Sequence, residues 1–232
     1  MYYPNTFPTY NGICTQSDTN TICNCYLDKI FDFFDVPNNP YRFLEAYLEA
    51  VQDPNQVPGI CIAKKHLDKC IGKSVIQNCF NIKDFRKIDF IESNQEARIM
   101  ITNYLQLDYA CGAVYNLLTE KLDCVLNAVD TCFGDYNTCT NAYGLINCGV
   151  KKVKSNCGNP AGCFAQKYLS LQKCYYLSDC DFCDSINYIY NPINNICSED
   201  SNYGSHHGGG SNANFNFNNI LLVILIAFYL FL

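Results

Sequence analysis

The sequence predicts an all-α fold, a disulfide-stapled bundle of short helices. Three observations point there. Seventeen cysteines crowd between Cys14 and Cys197. Apolar residues recur at helical spacing, and runs of period-two alternation are scarce. Proline follows asparagine in the manner of a helix start at Asn39-Pro40 and at Asn159-Pro160.

Behind Pro40, the residues Phe43, Leu44, Tyr47, Leu48 and Val51 share one face of a helix that Asp53-Pro54 should stop. Residues 95–132 are richly apolar and too long for one ordinary helix, so a break is expected near Gly112 or around Thr119. Behind Pro160, Phe164, Tyr168, Leu169, Leu171 and Tyr175 predict a further helix. One cysteine-rich helical domain is expected over residues 12–199, then a Gly/Asn-rich linker over 200–219 and an apolar tail over 220–232.

Cysteine at this density signals a covalent framework built in an oxidising compartment. The expected framework comprises Cys14, Cys23, Cys25, Cys61, Cys70, Cys79, Cys111, Cys124, Cys132, Cys139, Cys148, Cys157, Cys163, Cys174, Cys180, Cys183 and Cys197. A gap of nine recurs, from Cys14 to Cys23, through Cys61, Cys70 and Cys79, and through Cys139, Cys148 and Cys157. Nine helical residues separate two Cα atoms by about 13.5 Å on opposite faces. A disulfide needs them within about 7 Å. Such neighbours should therefore bond other segments, stapling each helix to different partners. An odd cysteine count also leaves one thiol unpaired or joined to another chain, which allows a disulfide-linked homodimer. The stretches 61–70 and 148–157 share both cysteines and two central lysines, a faint trace of duplication.

Net charge is −6, so a nucleic-acid partner is not expected. The basic clusters Lys64-Lys65 and Lys151-Lys152 with Lys154 read as solvated helix faces. In the tail, small residues precede a polar spacer and a short apolar end, the order of a glycosylphosphatidylinositol signal. Gly208 or Gly209 is the expected lipid attachment residue. Thirteen helical residues reach only about 20 Å, less than the ~30 Å hydrocarbon core. Membrane association is expected through that lipid anchor or the tail itself. Residues 1–12 show no basic or apolar region of a signal peptide, so a signal-encoding stretch is expected upstream of Met1.

The run Cys61-x8-Cys70-x8-Cys79 leads on to Leu107-Asp108-Tyr109-Ala110-Cys111-Gly112 with Tyr115, then to Leu122-Asp123-Cys124, Cys132 and Cys139. Cys148 and Cys157-Gly158-Asn159-Pro160-Ala161-Gly162 follow. Together these resemble a nematode family of secreted cysteine-rich domains of unknown function, the T20D4-type domain. They are also similar to the core domain of nematode chondroitin proteoglycans. The resemblance covers roughly residues 61–175 and implies an extracellular, helical, disulfide-bonded domain. The chain lacks any Ser-Gly dipeptide and any Asn-x-Ser/Thr sequon, so neither usual glycan attachment is expected.

Chemistry has few candidates. His206 and His207 lie in the polar linker, and His66 precedes Asp68 by two residues, positions that diverge on a helix. Cys180-x-x-Cys183 has redox spacing without the usual βαβ setting. Zinc held by Cys23/Cys25 and Cys180/Cys183 is the sharper alternative to framework cysteines. No enzyme, cofactor or metal is expected. The expected function is binding or structural presentation at a cell surface or in matrix, with an unknown extracellular protein or matrix partner. Eighteen tyrosines and fifteen phenylalanines suggest a second reading, a secreted carrier of small apolar ligands. A thiol-dependent or hydrolytic enzyme is the third.

Overall fold

In the computed structural model, which describes residues 13–112, 114–129, 132, 134, 137–177 and 180, every regular element is helical. Thr15 opens α1 (Gln16–Tyr26) with a capping box, its side chain meeting Asp18 N while Asp18 reaches back. The chain continues through a π-helical turn, Leu27–Phe31, into the short α2 (Asp32–Phe34). Asn39 caps α3 (Pro40–Ala50), its Oδ1 accepting from the Tyr41 and Arg42 amides at 3.0 Å each. Then come α4 (Val57–Ile71), α5 (Lys73–Cys79) and α6 (Ile82–Phe85).

Ser93 and Glu96 form a second capping box at the start of α7 (Asn94–Cys111). The expected break falls at Gly112, before α8 (Tyr115–Val129), and not at Thr119. Thr119 sits inside α8, its hydroxyl bonded back to the carbonyls of Tyr115 and Asn116. Last come α9 (Cys139–Cys157) and α10 (Asn159–Tyr176). Here Gly158, not Asn159, makes the junction. At φ 99° it donates its amide to the Lys154 carbonyl and so ends one helix and begins the next in a single residue. A Cβ on Gly162 would lie 2.8 Å from Lys154 Cβ, so a bare glycine lets α10 pack closely back onto α9.

Two apolar cores result. The larger is aromatic and spans α1 to α7, with Tyr26, Phe31, Phe43, Phe80, Phe85 and Phe90 in edge or tilted contact. The smaller joins the end of α7 to α8, α9 and α10 through Tyr109, Val125, Val153, Ala161 and Phe164. The helix α7 belongs to both, which explains why it is buried on nearly every side.

The disulfides are Cys14–Cys79, Cys25–Cys70, Cys61–Cys111, Cys124–Cys157, Cys132–Cys148 and Cys139–Cys180, and Cys163 is also disulfide-bonded. None of the six joins neighbours nine residues apart. Cys61 and Cys70 on α4 reach α7 and α1 respectively. Cys23 corrects the expected framework, because it is a free thiol. Two residues before Cys25, it points about 200° away from the face that meets Cys70 and lies near Asp89. Burial raises its pKa, and the Asp89 charge adds to that.

The pairing order repeats. Numbering six cysteines in chain order, the first half joins 1 to 5, 2 to 4 and 3 to 6, and the second half does the same. This topology aligns 70–79, not 61–70, with 148–157. The new register matches Cys70, Lys73, Val75, Asn78 and Cys79 with Cys148, Lys151, Val153, Asn156 and Cys157. The sequence trace of duplication was therefore displaced by one nine-residue step.

The cross-links give an ordering of stability. In a Cys23→Ser background that prevents exchange, replacing Cys14 and Cys79 by Ala should cost about 4 kcal/mol, against about 3 kcal/mol for Cys132 and Cys148. The first bond spans 65 residues and the second 16. Urea unfolding checks the order, and a reversed one would show that strain or denatured-state structure, not loop entropy, controls these bonds.

Candidate functional site

Two constellations merit a chemical reading, one charged and one apolar. The charged one begins at Lys64, expected on a solvated face but in fact buried at 2 % exposure. Its partners lie far along the chain. The Lys64 ammonium donates to both Asp68 oxygens at 2.7 Å and to Asp108 Oδ1 at 3.0 Å, and it lies 4.1 Å from the Tyr104 ring centre. The Tyr104 hydroxyl donates to Asp68 Oδ1 at 2.8 Å. Helical spacing sets Lys64 and Asp68 one turn apart on α4 and Tyr104 and Asp108 one turn apart on α7. The result is a clamp between two helices. Each carboxylate is committed to a cation, so neither is a free general base. Lys65, Lys151, Lys152 and Lys154 are exposed as expected.

Across α7, Lys167 of α10 lies 4.1 Å from the centre of the Tyr109 ring. Burial lowers its pKa to about 8, with the Asp108 charge opposing. Lys173 is lowered to about 8 by burial.

The apolar constellation is a cavity of about 120 Å³ between the two halves. From the first half come Tyr47 and Val51, then Val57, Ile60 and Cys61 of α4, and Leu107, Ala110 and Cys111 of α7. The second half supplies Leu118, Leu122, Val125, Leu126 and Val129 of α8, with Phe164, Ala165, Tyr168 and Leu169 of α10. Each set repeats at three or four residues, so each helix offers one stripe. No lining residue carries a charge. The Tyr47 and Tyr168 hydroxyls lie 3.0 Å apart and bond to each other across the seam. Burial raises both pKa values, so both phenols stay neutral.

Other candidates fare differently. His66 is exposed, and its neighbour Asp68 is bound to Lys64 and Tyr104. Cys25 and Cys180 are consumed by Cys70 and Cys139, which removes them as zinc thiolates and takes Cys180 out of a dithiol with Cys183. Cys14, Asp18 and Cys79 cluster at metal-like distances, but the two sulfurs form a disulfide. His206, His207, Gly208, Gly209, Cys183, Cys197 and the tail 220–232 lie outside the described residues. Among the described residues no helix is long and apolar enough to cross a membrane.

The sequence signals for the cavity were present as core signals: Tyr47, Leu107, Leu122, Phe164 and Tyr168 all read as apolar faces. Nothing in their spacing distinguishes a filled core from one with space left in it. Fold and cross-links define the class, an all-α disulfide-stapled domain. No family model, no curated protein and no solved structure matches the chain.

The buried lysines and tyrosines set a pH profile. Between about pH 8 and 10.5 the folded chain has released the Lys167 and Lys173 protons while the unfolded chain still holds them. Stability therefore rises with pH across that window. Tyr26, Tyr47, Tyr104 and Tyr168 have pKa values raised above 10 by burial, so above pH 10 the unfolded chain loses protons first and stability falls. Urea midpoints from pH 7 to 11, with Cys23 blocked, should peak near pH 10. A steady decline from pH 7 would contradict the buried-lysine account.

Proposed function

We propose that this chain is a non-enzymatic extracellular binding module that holds a small apolar ligand between its two halves and is presented at a cell surface by a glycolipid anchor. The observation that carries the reading is the cavity, whose wall is made of aliphatic and aromatic groups with two phenols bonded to each other. Its volume is comparable to that of the ~150 Å³ apolar cavities that take up benzene. Disulfides in this number suit an oxidising compartment. The resemblance to secreted nematode cysteine-rich domains supports the same location, and the Gly208–Gly209 region with its apolar tail supports the anchor.

Isothermal titration with toluene tests the cavity. Saturable binding is expected, together with an apolar compound in the organic extract of protein from its native source. Ala165 lies in the wall at 2 % exposure, so Ala165→Leu should fill the space and weaken toluene binding roughly tenfold or more, leaving the melting temperature unchanged or higher. Toluene bound equally well by Ala165→Leu would place its site elsewhere.

The anchor has its own test. On cells expressing the chain behind a signal peptide, a phosphatidylinositol-specific phospholipase should release the wild-type protein into the medium. The double variant Gly208→Leu, Gly209→Leu should fail to reach the surface. Surface protein that resists the lipase would sink the anchor.

A further inference from the structure

We propose that the Tyr47–Tyr168 pair is a polar anchor in the cavity wall, and that the occupant is an uncharged apolar molecule bearing one hydrogen-bond acceptor, such as a ketone, ester or ether oxygen. This rests on the cavity reading above and names the chemistry of what the cavity takes.

Two phenols carry two protons, and a single contact between them uses one. The oxygens are 3.0 Å apart, and either can be the donor. Whichever donates, the other hydroxyl keeps a proton that meets no acceptor among the described residues. Tyr47 is nearly sealed from solvent at 2 % exposure, and Tyr168 is half-buried. A buried donor without a partner is costly, so an acceptor brought by the ligand gains more here than at the surface.

The wall decides against charge. No lysine lines the cavity; Lys64 is held by Asp68 and Asp108, and Lys167 lies over Tyr109. A carboxylate or ammonium entering the cavity would lose its hydration with no opposite charge to meet it. A plain hydrocarbon fits the wall but leaves the phenol proton unmet. A molecule with one acceptor satisfies both conditions.

Ethylbenzene, acetophenone and benzoate share a ring and differ in the group attached to it, so they separate these cases. Calorimetry on the full chain should show ethylbenzene and acetophenone binding and benzoate failing. A single Tyr→Phe change leaves the other phenol free to donate, so the informative variant is Tyr47→Phe with Tyr168→Phe. In it the affinity ratio of acetophenone to ethylbenzene should fall roughly three- to tenfold.

Infrared spectroscopy on the unaltered protein gives a readout independent of the variant. The carbonyl stretch of bound acetophenone should lie at lower wavenumber than in hexane. A hexane-like stretch, or an unchanged affinity ratio in the double variant, overturns the anchor while leaving the cavity intact. Benzoate binding as tightly as acetophenone overturns the exclusion of charge. Failure of both neutral ligands to bind overturns the cavity reading itself.

Discussion

A helix cannot cross-link itself over nine residues. That stretch rises about 13.5 Å and turns two and a half times, while a disulfide closes only across about 7 Å. Wherever cysteines recur at this interval, each must find its partner on another segment. In α9 the three cysteines bond to Cys180, Cys132 and Cys124, so one helix is tied to the segments on either side of it. In the first half, Cys61, Cys70 and Cys79 reach Cys111, Cys25 and Cys14. The cysteine interval thus converts helices too short to be stable alone into a cross-linked bundle.

The same six-cysteine order in both halves has a consequence for the space between them. Every one of the six described bonds stays within its own half. The seam is instead held by apolar packing of α7 on α10, with the Tyr47–Tyr168 hydrogen bond across it. Covalent ties fix the shape of each half without forcing the two faces into full contact. A cavity at the seam is the kind of packing defect such an arrangement can keep, because its cost is borne by two bodies that are already stapled.

What was legible in the sequence was local. The Asn39-Pro40 start, the break at Gly112 and the exclusion of nine-residue disulfides all follow from residues close together in the chain. The burial of Lys64 was not legible, because its pattern of neighbours matches an exposed face and its second carboxylate, Asp108, is 44 residues away. The junction at Gly158 was misread for another reason. Asn159 has a good capping side chain, but a glycine able to adopt positive φ allows a tighter join between consecutive helices. The cavity left no signature, since the residues around it are the ones that would also fill it.

The helix α7 connects the charged clamp to the apolar site. Tyr104 and Asp108 turn toward Lys64, while Leu107, Ala110 and Cys111 line the cavity and Tyr109 lies against Phe164 and Lys167. With 3.6 residues per turn, successive positions fall on different sides, so one helix separates these functions. Holding Lys64 against Asp68 and Asp108 at the α4–α7 contact satisfies charges that would otherwise be costly to bury and keeps them out of the cavity wall. For the proposed ligand, selectivity then has two sources left, shape and the single phenol proton at the seam. The surrounding network of charge therefore belongs to the chemistry of the proposed site, although no atom of it need touch the ligand.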